Sequence, residues 1–381
     1  MKSMTFVGSL KKIGSLFTWI AFTIGVVALA LMIWSKLWPL VSKRFIDTPT
    51  ASQQPSNKVV SGPVSHIHPE FIQNLNNQLS NSKASERISS IAYDPKNHFL
   101  LVGREAGAID IWDGKQANAW RTISAHKSSA DQLSFSSDGR IFFSHSQFED
   151  VVHVWDVASG SLVHAIESAR GPVVGTSDPN LFVVASSSGL RIFNLATKAL
   201  LPTTYRQVGD SVTALAYEVP SDQLAIGTAS GGVETWKFLK VPDATLERVA
   251  VVQPYKVGNW VKAVHFSDGG RSVYSLPQRG SLDEWSAARL ELLRSREIPL
   301  GFVGSSVFIP EKGQLVISGF RKGDNDTFAN FLAILNLKDG SESLVDLKES
   351  GGGTIVYLPS LSTIISGQRR AISVIDIAKA R

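Results

Sequence analysis

The 381-residue chain contains no cysteine. That absence excludes a disulfide framework, a thiolate nucleophile, a zinc–thiolate site and an iron–sulfur cluster. Catalytic signatures are missing too. No Gly-x-Ser-x-Gly elbow, phosphate-binding glycine loop ending in Lys-Ser/Thr, or His-Glu-x-x-His occurs. A surplus of one charge is also lacking once the chain is divided. Residues 1–45 hold Lys2, Lys11, Lys12, Lys36, Lys43 and Arg44 with no acidic residue. Taking those six from 38 basic side chains leaves 32 against 33 acidic ones in residues 46–381. The body of the chain therefore carries no polyanion footprint, and nucleic acid is not an expected partner. At 43% hydrophobic and 19% charged residues, the chain has the composition of a packed globular protein.

What is present begins with a long apolar run. Ile13 to Trp34 is 22 residues without a charge, enough as a helix for a hydrocarbon core of about 30 Å. Trp19, Trp34 and Trp38 lie toward its ends, where indole rings favour the lipid–water boundary. A cleaved leader would have a shorter apolar region, and Ala28-Leu29-Ala30 lies inside the run rather than after it. The reading is an uncleaved single-pass anchor in residues 1–45, spanning about 13–34, with the lipid bilayer as a partner. Lys2, Lys11, Lys12 and the α-amine precede the span, against Lys36, Lys43 and Arg44 after it. This small excess favours a cytoplasmic N-terminus and a bacterial inner membrane with the body on the periplasmic side; the opposite orientation leaves the body cytoplasmic.

Residues 46–87 read as a linker. Residues 46–65 are rich in Ser, Thr, Gln, Pro and Asn and form a flexible tether. After Pro69, the residues Phe71, Ile72, Leu75 and Leu79 recur at helical spacing, so a short helix packed on the body is expected.

From Ile88 to Arg381 the chain repeats itself. Each unit has an apolar strand, a turn rich in Ser, Asp, Pro and Gly, a second apolar strand, a further turn and a third strand. The first turn appears as Tyr93 to Asn97, Phe135 to Gly139, Thr176 to Asn180, Tyr217 to Asp222, Phe266 to Gly270, Ile309 to Gly313 and Leu358 to Leu361. The third strand ends at Trp112-Asp113, Trp155-Asp156, Phe193-Asn194, Trp236-Lys237, Trp285-Ser286, Leu335-Asn336 and Ile375-Asp376. Segments such as Trp120 to Ile123 and Leu162 to Ile166 supply outer strands.

Ala125-His126, Phe135 to Gly139 and Trp155-Asp156 together resemble a WD repeat. The resemblance covers about three-quarters of the chain and implies an all-β, seven-bladed propeller over residues 88–381, behind one transmembrane helix and a flexible tether. It also implies a bracing tetrad, which only the second unit approaches, with His126, Ser144, Glu149 and Trp155. Units three, six and seven lack the tryptophan. The last unit ends after its third strand, so an N-terminal segment, Lys58 to Ile67 or Phe71 to Leu79, is expected to supply the missing outer strand.

The resemblance implies a non-enzymatic scaffold for other proteins. A propeller enzyme or small-ligand binder at the central channel is the alternative, but the inner strands Ile88 to Tyr93, Val212 to Tyr217 and Val261 to Phe266 offer only Ser, Thr, Lys262 and His265. No cofactor or metal is expected. His66 and His68 lack further ligands at suitable spacing, and Asp324-Asn325-Asp326 lacks the distal residues of a calcium loop. The turns between second and third strands carry Arg104, Arg279, Arg321, Lys322, Arg369 and Arg370, near Trp260 at the start of an inner strand. Glu105, Glu149, Asp150, Asp324 and Asp326 nearly balance them. Arginine is a favoured interface anchor, so an acidic or extended protein segment is expected on the side of blades five to seven.

Overall fold

The computed structural model describes residues 67–80, 87–116, 119–186, 189–201, 206–207, 211–240, 244–322, 328–347, 353–368 and 371–377. The chain divides into two compact units, Met1–Gly62 and Pro63–Arg381. The apolar run 13–34, with Trp19, Trp34 and Trp38, lies outside the described residues. Among those described, no helix is long and apolar enough to cross a membrane.

In the second unit each repeat folds into one antiparallel sheet. Blade one holds β1 (Ile88–Asp94), β2 (Phe99–Arg104), β3 (Ala108–Asp113) and β4 (Ala119–Ser124); blade two holds β5 (Gln132–Phe135), β6 (Ile141–His145), β7 (Val151–Asp156) and β8 (Leu162–Glu167). Blade three holds β9 (Val173–Gly175), β10 (Leu181–Ser186) and β11 (Gly189–Asn194), with its outer edge split between β12 (Ala199–Leu200) and β13 (Arg206–Gln207). Blade four holds β14 (Val212–Glu218), β15 (Gln223–Thr228), β16 (Val233–Leu239) and β17 (Thr245–Val252). Blade five holds β18 (Val261–Ser267), β19 (Ser272–Pro277), β20 (Ser281–Ser286) and β21 (Leu292–Glu297). Blade six holds β22 (Phe302–Ile309), β23 (Gln314–Lys322), β24 (Phe328–Asn336) and β25 (Glu342–Leu347). Blade seven has three strands among the described residues, β26 (Ile355–Leu358), β27 (Thr363–Gln368) and β28 (Ala371–Asp376). Neighbouring inner strands touch all the way round, from β1 through β5, β9, β14, β18 and β22 to β26 and back to β1. The seven-bladed propeller is confirmed.

The period-two alternation of a strand sends successive side chains to opposite seams, so the second strands of the blades are buried on both faces. In β2, Leu101 packs with Ile109, Ile111, Phe142 and Trp155 against blade two, while Leu100 and Val102 pack with Leu358 and Ile365 against blade seven. Seven apolar clusters fill the seven seams in this way.

Turn chemistry sets the ends of the strands. Asp94 Oδ1 accepts the Lys96 amide at 2.9 Å, and His98, Asp222 and Ser362 adopt the left-handed conformation at φ 65°, 50° and 49°. At the ends of third strands, Asp113, Asp156, Asn194 and Asn336 accept amides two or three residues on. Trp112, Trp155, Trp236 and Trp285 coincide with a register shift between third and outer strands. Phe193 and Leu335, in the same place, do not. An extra outer-strand residue thus accompanies each indole.

The helix expected after Pro69 forms as α1 (Phe71–Ser80), with Phe71, Leu75 and Leu79 completely buried. It joins the seam between blades seven and one, where Phe71 meets Trp112 edge-on at 6.1 Å and the His68 amide donates to Gly114 O at 2.7 Å. This corrects one expectation: Phe71 to Leu79 is no closing strand. Phe71, Leu75 and Leu79 are buried while Gln73 and Asn77 between them are exposed; a strand would turn all five to one face, and a helix separates them. The other candidate, 58–66, lies outside the described residues, and Ile67 is buried in the same cluster.

Candidate interaction surface

Turns between second and third strands share a face with the loops leading into inner strands. The Glu105 amide donates to Arg87 O at 2.8 Å, Ala130 to Arg104 O at 3.0 Å, and Gln278 to Trp260 O at 2.7 Å. Two hydrogen-bonded braces hold this face in place. In blade two, the His126 ring bonds Glu149 Oε2 at 2.9 Å and Ser144 Oγ at 2.8 Å, and Trp155 Nε1 donates to the same Oγ at 2.8 Å. Burial raises the Glu149 pKa, but bonds from the His126 ring and the Lys127 amide outweigh it and hold the carboxylate below its ordinary value. His153 stacks on His126 at 4.7 Å; burial and that neighbour both lower its pKa.

Blade five builds the same brace from other residues. Trp285 Nε1 donates to Ser275 Oγ at 2.8 Å, and Tyr255 takes the place of the histidine, bonding Ser275 Oγ at 2.6 Å and donating to Asp283 Oδ2 at 2.7 Å. Sequence reasoning missed this network. Its signal was spacing: Tyr255 precedes Ser275 by 20 residues, as His126 precedes Ser144 by 18. Trp236 Nε1 bonds Glu234 Oε2 at 3.1 Å, with Arg248 over its ring. Trp112 Nε1 has no partner among the described residues.

The candidate interface residues separate. The Arg104 side chain is only 7% exposed and is paired with Asp110, which also accepts from Thr122 Oγ1 at 2.7 Å. It braces blade one and is not presented to a partner. Trp260, 47% exposed, and Val257, 86% exposed, stand on the loop into blade five. That loop is tied down where Asn259 bonds the backbone of Arg279 in both directions at 2.9 and 3.0 Å. The Arg279 guanidinium lies 5.6 Å from the centre of the Phe302 ring, and Phe302 stacks on Phe320 at 4.7 Å and 11°. Arg321, next in β23, is exposed. Blades five and six therefore carry a cationic, aromatic patch of which Val257, Phe302 and Phe320 were not foreseen. Lys322 ends β23; Arg369 and Arg370, like His66 and Asp324 to Asp326, lie outside the described residues. Among the described residues no three His, Asp or Glu side chains are placed to hold a metal ion.

No protein-family profile matches the chain. It is 24% identical over 300 residues to the mouse NACHT domain- and WD repeat-containing protein 1, covering 75% of this chain and 18% of that protein. It is 21% identical over 167 residues to pre-mRNA-processing factor 19 of Schizosaccharomyces pombe, covering 43% and 34% respectively. The chain thus spans about a third or less of these relatives' lengths. The β-propeller domain of Myceliophteria thermophila Cps50 (Swd1) superposes with a TM-score of 0.60 at 17% identity, covering 77% of this chain and 98% of that one. Fold, repeat pattern and neighbours agree on a seven-bladed propeller of the WD-repeat type, whose described strands run from Ile88 to Asp376.

Proposed function

We propose that the chain is a membrane-tethered, non-enzymatic scaffold that docks another protein on the side of its propeller face formed by blades five and six. Propellers of this type generally serve as protein-interaction scaffolds. The observation that carries the site is the pinned loop of exposed Val257 and Trp260 beside Arg279, whose guanidinium lies over Phe302 stacked on Phe320, with exposed Arg321 following Phe320 in β23. Exposed aromatic and arginine side chains on a pinned loop are the usual anchors of an interface, because little conformational entropy is lost when they are covered. The cations of the patch suit an acidic or extended segment. The tether rests on the uncharged run 13–34 and its flanking tryptophans, with the propeller translocated by the small excess of charge before the span.

Affinity capture of the full-length protein after detergent solubilisation tests the docking site. Trp260→Ala combined with Arg279→Glu and Arg321→Glu is expected to remove the main co-purifying protein while leaving the melting temperature nearly unchanged. Recovery of that protein undiminished, with the variant folded, refutes the assignment.

A further inference from the structure

We propose that the propeller face described above pairs with the same face of a second copy of this chain, in a two-fold dimer that sets the acidic side of each face against the basic side of the other. This pairing rests on the docking patch proposed for blades five and six and names an occupant for it, one that competes with any other protein docking there.

The connections between second and third strands are equivalent positions in like blades, so they stand at similar distances from the central channel. Their charges nearly balance over the whole ring but are separated around it. Blades one and two carry Glu105, Glu149 and Asp150 there, and Arg104 is buried against Asp110. Arg87, 4.0 Å from Glu105, offsets part of this charge. The connections of blades three and four, 187–188 and 229–232, carry no charge. In blades five to seven, Arg279, Arg321, Lys322, Arg369 and Arg370 outnumber Asp324 and Asp326. Loops into the inner strands leave the division in place: Lys127 and Asp131 offset each other before blade two, and exposed Lys256 adds to the basic side before blade five.

Each side also carries an exposed apolar anchor on a pinned segment. On the basic side these are Val257 and Trp260. On the acidic side Phe148 is 70% exposed, in a turn held by the Gln147 amide on Asp131 Oδ2 at 2.8 Å and the Glu149 amide on Ser146 O at 3.1 Å. A partner covering one side would leave the aromatic of the other in water, whereas a second copy covers both. A two-fold axis lying in the plane of two stacked faces and passing through blade four matches blade one with seven, two with six and three with five. The uncharged connection Ala229 to Gly232 then lies beside the axis. Phe148 and Asp150 of each copy come against Arg321, Phe302 and Phe320 of the other, where a guanidinium can pair with a carboxylate and stack on an aromatic ring. The symmetry makes every such contact twice.

Sedimentation equilibrium of the purified full-length protein in detergent tests this pairing. Glu105→Lys with Asp150→Lys reverses the acidic side, and Arg279→Glu with Arg321→Glu reverses the basic side; all four residues are exposed. Each double variant alone is expected to dimerise about tenfold or more weakly than wild type. An equimolar mixture of the two is expected to regain a dimer, of mixed composition, because opposite charges meet again at both contacts. Arg289→Glu with Lys338→Glu, at the opposite ends of the strands, is expected to leave the dimer unchanged. If a reversed variant does not fold, wild type in rising salt stands in for it, and its dimer is expected to weaken. A wild type that stays monomeric up to about 100 µM overturns the proposal. So does a dimer indifferent to both reversals or to salt, a mixture that stays monomeric, or equal weakening by the variant at the opposite ends. A monomeric wild type that still captures a protein through Trp260, Arg279 and Arg321 ends this pairing and keeps the docking reading. A dimer that behaves as expected, with no other protein captured, does the reverse.

Discussion

Six seams of this propeller lie between blades joined by a short connection, and one, between blades seven and one, lies between blades far apart in sequence. The six are filled by side chains of the two facing sheets. The seventh has in addition α1, whose Phe71, Leu75 and Leu79 are buried against both blades. Where the connecting peptide is absent, an extra apolar element takes over part of the work of holding neighbours together. Burying each of those side chains contributes about 1.5–3 kcal/mol.

That comparison is broken most directly at α1. Phe71→Ala removes a fully buried ring against Trp112 and should cost about 3–5 kcal/mol, read as a large fall in melting temperature. If the melting temperature is unchanged, the helix is not part of what closes the ring.

A smaller effect is expected within a blade. Ser144→Ala leaves the His126 ring and the Trp155 indole without their shared partner, at a cost of about 1–3 kcal/mol, and Ser275→Ala does the same for Tyr255 and Trp285. Chemical denaturation of the two variants should give similar losses, both below that of Phe71→Ala. A loss in blade two with none in blade five would show that tyrosine does not replace histidine in the brace.

Proton uptake sharpens the contrast further. Burial holds His145 and His265 near pKa 4 in the fold, against about 6.5 for an unfolded histidine. Between those values the unfolded chain binds more protons, so stability is complete above about pH 6.5 and falls as the pH drops toward 4, by at most about 1.4 kcal/mol per pH unit for each histidine. The core of the seventh seam is wholly apolar. Wild type and Phe71→Ala should therefore lose stability in parallel on acidification, whereas His265→Phe flattens the curve. A slope unchanged in His265→Phe would remove that residue from the titration.

The parts of the molecule legible in the sequence are those decided locally. Gly139 (φ 69°), Gly270 (φ 86°) and Gly313 (φ 61°) mark turns because positive φ suits glycine, and the Trp-Asp pairs mark strand ends because the acid caps the next turn. What escaped the reading depends on residues brought together by pairing. Arg104 looked like an exposed turn residue until Asp110 came beside it from the neighbouring strand. Phe302 and Phe320 are opposite each other only through the register of β22 and β23. No motif marks Val257, and only the pinned loop shows that it faces solvent. The membrane span was read from composition alone and lies outside the described residues.

The place of α1 also bears on how the chain is made. As synthesis proceeds, each blade of the ring can be covered by the one that follows it, except that the face of blade one that will meet blade seven has no sheet to pack against until Ile365 and Ile372 have left the ribosome. Such delayed, non-local contacts are the slow and aggregation-exposed part of β-sheet folding. α1 is synthesised immediately before blade one, and Phe71 lies against Trp112 of that blade. The helix is thus available to shield the oldest apolar sheet face of the ring for as long as the ring stays open, and it keeps that position as one wall of the seam when blade seven arrives.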